Sequence, residues 1–245
     1  MASEQPAPLR LAARGVSPVK GTRHLEVSHL DLRADGPTVD RRWCVVDVER
    51  RVVLRTVQNP ELLRVVARLE DGLLSLSTDG QPPLSAAAPA SDETLTCDYW
   101  GRATELRLCS GPHSAWLSRH LGRPVRLAAA APGAVVYGAP ITLVTTASLE
   151  ALASRSGLAD LAQEWTRFRP TLLLHTTTPD EELHWQGREL TVGSALLRVG
   201  DPVPRCAVID HHPETGVRDA RLLAQLPGPK PVFGAYATVE RAGRV

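Results

Sequence analysis

The chain has almost no net charge, no long apolar run and no closely paired cysteines, and each absence removes a class of function. Its 28 basic and 27 acidic residues leave a formal charge of +1, which predicts no bulk attraction to nucleic acid or to a membrane surface. No apolar stretch is long enough to span a bilayer, and the opening segment Met1 to Gly15 lacks the hydrophobic centre of a secretion signal. Cys44, Cys97, Cys109 and Cys206 include no C-x-x-C pair, no histidine partners at zinc-finger spacing and no iron-sulfur pattern. A structural zinc site and an iron-sulfur cluster are therefore not expected. These absences together predict a cytoplasmic protein with reduced thiols. Lysine is scarce too: Lys20 and Lys230 are the only lysines, so most cationic chemistry falls to planar guanidinium forks. There is no tandem repeat and no coiled coil.

What is present reads as a mainly β (α+β) protein. At 245 residues, 43% hydrophobic and 22% charged, the chain has material for one large β domain or two small ones. A lead-in over residues 1–8 is expected to be disordered, with folded structure beginning near Leu9. Short strands are predicted at 9–13, 24–32, 43–47, 52–54, 62–69 and 73–77, with turns at Asp35-Gly36-Pro37, Glu49-Arg50-Arg51 and Asp71-Gly72. Residues 79–93, rich in Pro, Ala and Ser, read as a loop, and strand character resumes over 95–108 around Trp100-Gly101. Ser114 is predicted to cap a short helix ending at Gly122, and Thr146 a second one ending at Gly157. A small-residue stretch at 128–133 marks a domain junction, giving two β-barrel-like domains with a few short helices, over 9–127 and 134–245. In the second, strands are expected at 141–144, 171–174, 190–192, 195–199 and 233–239, with Gly193-Ser194 as a hairpin turn.

The most informative stretch is Asp201-Pro202-Val203-Pro204-Arg205-Cys206, followed by an apolar run over 207–209 that reads as a strand. The prolines stiffen the approach, so Arg205 and Cys206 are presented on a rigid turn, and a thiol beside a cation tends to ionise. From this alone, Cys206 is either a small buried core residue or a metal-ligating thiolate. Lys20, beside the flexible Gly21, makes a plausible anion loop. The adjacent His211 and His212 read as a solvated turn, since neighbouring side chains on an extended chain point opposite ways.

Four segments taken in order carry a family pattern: Pro18-Val19-Lys20, then Asp40-Arg41-Arg42-Trp43, then Arg167-Phe168-Arg169-Pro170, then Pro204-Arg205-Cys206 with Gly234-Ala235-Tyr236. Trp116-Leu117-Ser118 and Leu121-Gly122-Arg123-Pro124-Val125 fit the same pattern. The chain resembles the MOSC family, in its branch with an N-terminal MOSC β-barrel domain. That resemblance implies a molybdenum-pterin cofactor at the junction of two barrels, with Cys206 as the metal ligand and catalytic centre. It places Lys20, Gly21, Arg41, Arg169, Thr171, Arg205 and Tyr236 at cofactor-contacting positions. A soft thiolate suits molybdenum, and guanidinium forks suit a pterin phosphate. The implied activity is reduction of N-hydroxylated small molecules, with electrons from an external redox protein. The alternative is a molybdenum-cofactor or sulfur carrier without turnover, and the chain has no room for a pyridoxal-phosphate domain. It departs from the family pattern at Gly21, where many relatives have serine, at Tyr137-Gly138-Ala139-Pro140, where an acidic and hydroxyl-rich segment is common, and at Thr171, where asparagine is common.

Overall fold

Apolar runs that would be excessive for a half-solvated strand find their reason in a sheet buried on both faces. In a computed structural model of the chain, which describes residues 10–245, Leu172 and Leu174 enter one core while Leu173 enters another. Ile141 and Leu143 likewise face away from Val144, as the two-residue period of a strand requires. The strands Ile141–Thr145 and Leu172–Leu174 pair in parallel, and the chain crosses back between them through a helix described below. Antiparallel neighbours extend this sheet to seven strands, in the order Glu189–Val192, Ala195–Pro204, Val232–Arg241, Ile141–Thr145, Leu172–Leu174, Leu11–Val16 and Leu25–Glu26. The first strand among the described residues, Leu11–Val16, is thus part of the sheet built by the second half of the chain.

The other sheet is a closed barrel, ordered Ala90–Tyr99, Arg102–Cys109, Arg126–Ala130, Trp43–Asp47 and Val52–Val53. Closure leaves it no free edge. A three-stranded sheet, Val66–Glu70, Leu73–Thr78 and Gln81–Ala86, packs beside it. A second small sheet joins Gly243–Arg244 to Asp31–Arg33 and Gly36–Pro37. The architecture is mainly β, a closed barrel beside a curled sheet, as the sequence predicts. The expected division into 9–127 and 134–245 takes a different form in the pairing: residues 11–37 hydrogen-bond with strands of the second half, and the barrel itself runs from Trp43 to Ala130. The lead-in over 1–8 and the start at Leu9 lie outside the described residues.

Two α-helices occur among the described residues, α1 over His113–Leu121 and α2 over Thr146–Ser156; it is α2 that links the parallel pair. Both end on a left-handed glycine, Gly122 and Gly157, at the expected places. Their starts differ from expectation. Pro112 sits at the N-terminus of α1, and the Ser114 hydroxyl accepts instead from the Leu127 amide at 3.0 Å. Thr145, one residue ahead of the expected cap, accepts from the Ser148 amide and gives its own proton to the buried Glu182 carboxyl at 2.8 Å. Burial pushes the pKa of Glu182 up.

Three further expectations are corrected. Residues 79–93 are largely strand, not loop: Pro82 and Pro83 lie on an outer strand, where no neighbour needs their missing amides. Residues 207–209 are not a strand but part of the 3-10 turn Ala207–Asp210, closed by the Ile209 amide on the Cys206 carbonyl. Residues 128–130 belong to the barrel strand Arg126–Ala130, paired on both sides, so the link between the sheets starts after them.

Candidate functional site

Short backbone bridges carry distant segments to one point between barrel and sheet. Val19 pairs with Trp43. The Lys20 amide donates to the Trp43 carbonyl at 2.7 Å, and the Arg41 amide to the Ser17 carbonyl at 2.9 Å. Asp40 reinforces this seam, accepting from the Ser17 amide at 2.7 Å and pairing with the Arg41 Nε at 3.1 Å. Arg41 and Arg169 both hold a left-handed backbone, with φ of 49° and 54°. Such a conformation costs a non-glycine residue on the order of 1 kcal/mol and clusters at functional positions. It aims both guanidinium groups at a cavity of about 290 Å³.

Cys206 opens onto the same cavity. Its predecessor Arg205 staples the loop down: Nε donates to the Phe233 carbonyl and Nη1 to the Phe168 carbonyl, each at 2.7 Å. The guanidinium lies 5.7 and 6.0 Å from the rings of Phe168 and Phe233. Gly234 makes room for it. A Cβ at that position, where φ is +80°, would fall 2.3 Å from the Leu143 carbonyl oxygen and 3.2 Å from Arg205 Nη2. This accounts physically for the glycine two residues before Tyr236.

Of the residues singled out in the sequence, Lys20, Gly21, Arg41, Arg169, Arg205, Cys206 and Tyr236 all line the cavity. Thr171 does not join them. It is buried at 2% exposure, and its hydroxyl and amide form a reciprocal clasp with Thr142, at 3.1 and 3.0 Å. Thr142 in turn donates to the Arg169 carbonyl at 3.2 Å, so Thr171 supports the arginine from behind. His211 bonds locally to the Ala207 carbonyl, His212 Nδ1 accepts from the Glu214 amide while its Nε2 faces Glu164, and neither lines the cavity.

Sequence reading missed a second support. His24 Nε2 lies 2.8 Å from the Pro170 carbonyl, which can only accept, so that nitrogen carries the proton. Burial, with Arg169 next, holds the His24 pKa well below the usual value, and the ring is neutral. Its Nδ1 therefore accepts from Ser17 Oγ at 3.0 Å, and Ser17 Oγ accepts from Arg169 Nη2 at 2.7 Å. The only hint in the sequence is a serine preceding the Pro18-Val19-Lys20 segment.

The site has more positive charge than it can neutralise. Lys20, Arg41, Arg169 and Arg205 face it, and Asp40 is the carboxylate paired within it. Burial, then Arg41 and Arg169, push the Lys20 pKa down to about 7. Burial pushes Arg169 and Arg205 down to about 10. Arg169 Nη1 and Arg205 Nη2 are buried with no hydrogen-bond partner, which costs about 1–3 kcal/mol for each such donor. Orphan donors and surplus cations fit an anionic, acceptor-rich ligand such as a phosphorylated pterin. Among the described residues no three His, Cys, Asp or Glu side chains cluster as a metal site. Cys206 thus fits as one thiolate ligand to a metal held chiefly by another group.

A consequence can be measured with the protein alone. A lysine lowered to about 7 is a cost to folding that is full below that pH and fades as pH rises towards its ordinary value. An anion reverses the balance by favouring the ammonium. Sulfate is expected to bind roughly tenfold more weakly at pH 9 than at pH 6, read from thermal shifts with chloride at matched ionic strength. Equal shifts at both pH values would remove Lys20 from the anion site.

Residues 10–124 match the MOSC N-terminal beta barrel domain and residues 110–245 the MOSC domain. Molybdenum cofactor sulfurase of Danio rerio is 28% identical over 93% of this chain and 31% of its own length. The chain therefore spans about a third of that relative. Mitochondrial amidoxime reducing component 2 of Rattus norvegicus is 25% identical, over 89% of this chain and 74% of its own length. The YUAD protein of Bacillus subtilis aligns over 97% of this chain and 90% of its own, with a TM-score of 0.48 and 10% identity. Among the described residues no helix is long and apolar enough to cross a membrane.

Proposed function

The chain belongs to the MOSC family, and from that premise we propose that it is a molybdenum-cofactor-dependent oxidoreductase acting on N-hydroxylated compounds, with Cys206 as the metal's protein ligand. The observation that carries this reading is the convergence of one partly exposed thiol with five cations, two of them with orphaned guanidinium donors, in a single cavity. The likeness to an amidoxime reducing component over most of both chains supports it. When bound, the cofactor supplies a two-electron centre for cleaving an N–O bond, so that R–NHOH, two electrons and two protons give R–NH2 and water.

The chain's own residues bind and orient. Arg169 Nη1 and Arg205 Nη2 would donate to acceptors on the pterin or its phosphate, and Lys20 Nζ and Arg41 would balance the phosphate charge. Arg205 holds the Cys206 loop in place, while Ser17, His24 and Thr142 keep Arg169 aimed. Electrons would come from a separate redox protein, and a cytoplasmic setting remains part of the proposal.

The likeness to molybdenum cofactor sulfurases favours a second reading, a cofactor or sulfur carrier that does not turn over. Protein produced with molybdate present is expected to contain molybdenum and pterin, and to reduce benzamidoxime with reduced methyl viologen. Loading without turnover would favour the carrier, and absence of both molybdenum and pterin would defeat both readings.

A further inference from the structure

The mouth of the cavity carries aromatic rings that neither the core nor the turn chemistry explains. The strands Ala90–Tyr99 and Arg102–Cys109 are joined by Trp100-Gly101, whose φ values, 57° and 79°, are both positive. A two-residue turn of this hand favours Asn-Gly, and a tryptophan in the first place is strained. Trp100 is also 40% exposed and belongs to none of the buried cores. Its ring lies 5.2 Å from that of Tyr137, which is 50% exposed, and the Arg55 guanidinium stands 4.6 Å from it.

Three separate parts of the chain deliver these groups, and all three line the cavity that contains Cys206. They are held rather than loose. The Asp98 carboxylate accepts from the Gly101 amide at 2.8 Å, and Arg102 Nη2 donates to the Val136 carbonyl at 2.7 Å, tying the hairpin to the link that bears Tyr137. That link lies flat on Tyr236: a Cβ on Gly138, where φ is +91°, would fall 2.4 Å from Tyr236 Cζ.

We propose that Trp100, Tyr137 and Arg55 form a substrate-selecting clamp for planar aromatic N-hydroxylated compounds, uncharged or anionic, over aliphatic and cationic ones. The inference rests on the reductase reading of the same site. The two rings are tilted 56° to one another, so a flat aryl group stacks on one and meets the other edge-on, which rewards a π-face and gives an alkyl group little. Arg55 at the rim, with Lys20 and Arg41 behind it, repels a cation.

Trp100→Asn is the sharp test, because asparagine suits the turn better than tryptophan and the barrel should fold at least as well. Benzamidoxime and acetamidoxime are compared as substrates of the molybdenum-loaded protein, and calorimetry measures benzamidoxime binding without turnover. The expected result is about a tenfold fall in the aryl-to-alkyl ratio of kcat/KM, carried by KM, about 1.4 kcal/mol. Benzamidoxime affinity should weaken to match, at unchanged molybdenum content. Tyr137→Ser should move the same ratio in the same direction. An unchanged ratio and unchanged affinity in both variants would overturn the clamp. If the parent protein reduces neither compound, the reductase reading fails by itself, and the calorimetric comparison still decides whether the rings hold an aryl ligand.

Discussion

Cys206→Ala is expected to lower molybdenum content at least about tenfold and benzamidoxime reduction at least about a hundredfold, with the fold intact. The asymmetry between function and stability follows from where the thiol sits. Cys44, Cys97 and Cys109 are buried, and burial pushes their pKa values up, which makes them poor thiolates. Cys206 is the partly exposed one, at the start of a turn whose geometry is set by backbone bonds and by Arg205. Removing one sulfur there opens no core cavity, so the cost to stability should stay within about 0.5 kcal/mol. Among the described residues no cluster of three His, Cys, Asp or Glu offers a metal another site, so the effect on molybdenum content should be severe. Metal analysis, pterin fluorescence and thermal unfolding on the same preparations check the three parts. Full molybdenum occupancy in Cys206→Ala would end its assignment as the ligand.

How much of this was readable beforehand depends on the range of the interaction. The two-residue period of the strands, Gly122 and Gly157 as helix stops, and the turns at Asp71-Gly72 and Gly193-Ser194 are local effects, and the chain declares them locally. The cation set was legible because four segments kept their residues in family order, although they meet only in space. Non-local pairing left no such trace: nothing in Leu11–Val16 says that its partner is Leu172–Leu174. A strand looks alike whichever neighbour it has. Residues 207–209 have strand-forming side chains, yet Arg205 and the Cys206 carbonyl curl them into a 3-10 turn, a tertiary constraint overriding local preference.

The residues that support the site were the least legible. Thr171, expected from the family resemblance to touch a cofactor, does not line the cavity and works through Thr142 on the Arg169 carbonyl. The Ser17 and His24 chain depends on a single carbonyl, that of Pro170, which fixes the tautomer. Trp100 is a different case. An aromatic in a turn position that favours asparagine is a local contradiction, and such contradictions mark functional places. It needed only the knowledge that the hairpin turns at that dipeptide.

Arg205→Lys carries the second large effect, because it keeps the charge and removes the fork. The guanidinium satisfies two backbone carbonyls from different elements at once, at 2.7 Å each, while lying against two phenyl rings. An ammonium on a flexible stem reaches one of those carbonyls and cannot copy the planar contact. The abandoned carbonyl stays buried behind the rings, at about 1–3 kcal/mol, and lost stacking adds about 0.5–1 kcal/mol. A total near 3 kcal/mol lowers Tm by about 6–12 °C in a protein of this length. The carbonyls at stake belong to Phe168, next to Arg169, and to Phe233, next to Gly234. Loosening them should unsettle the Cys206 loop and the Arg169 backbone together. Molybdenum content should then fall with stability, and lowering the temperature should restore part of it by favouring the ordered loop. If Arg205 acted only through charge, lysine would preserve both Tm and molybdenum content, and that outcome would replace the staple with a simple electrostatic role.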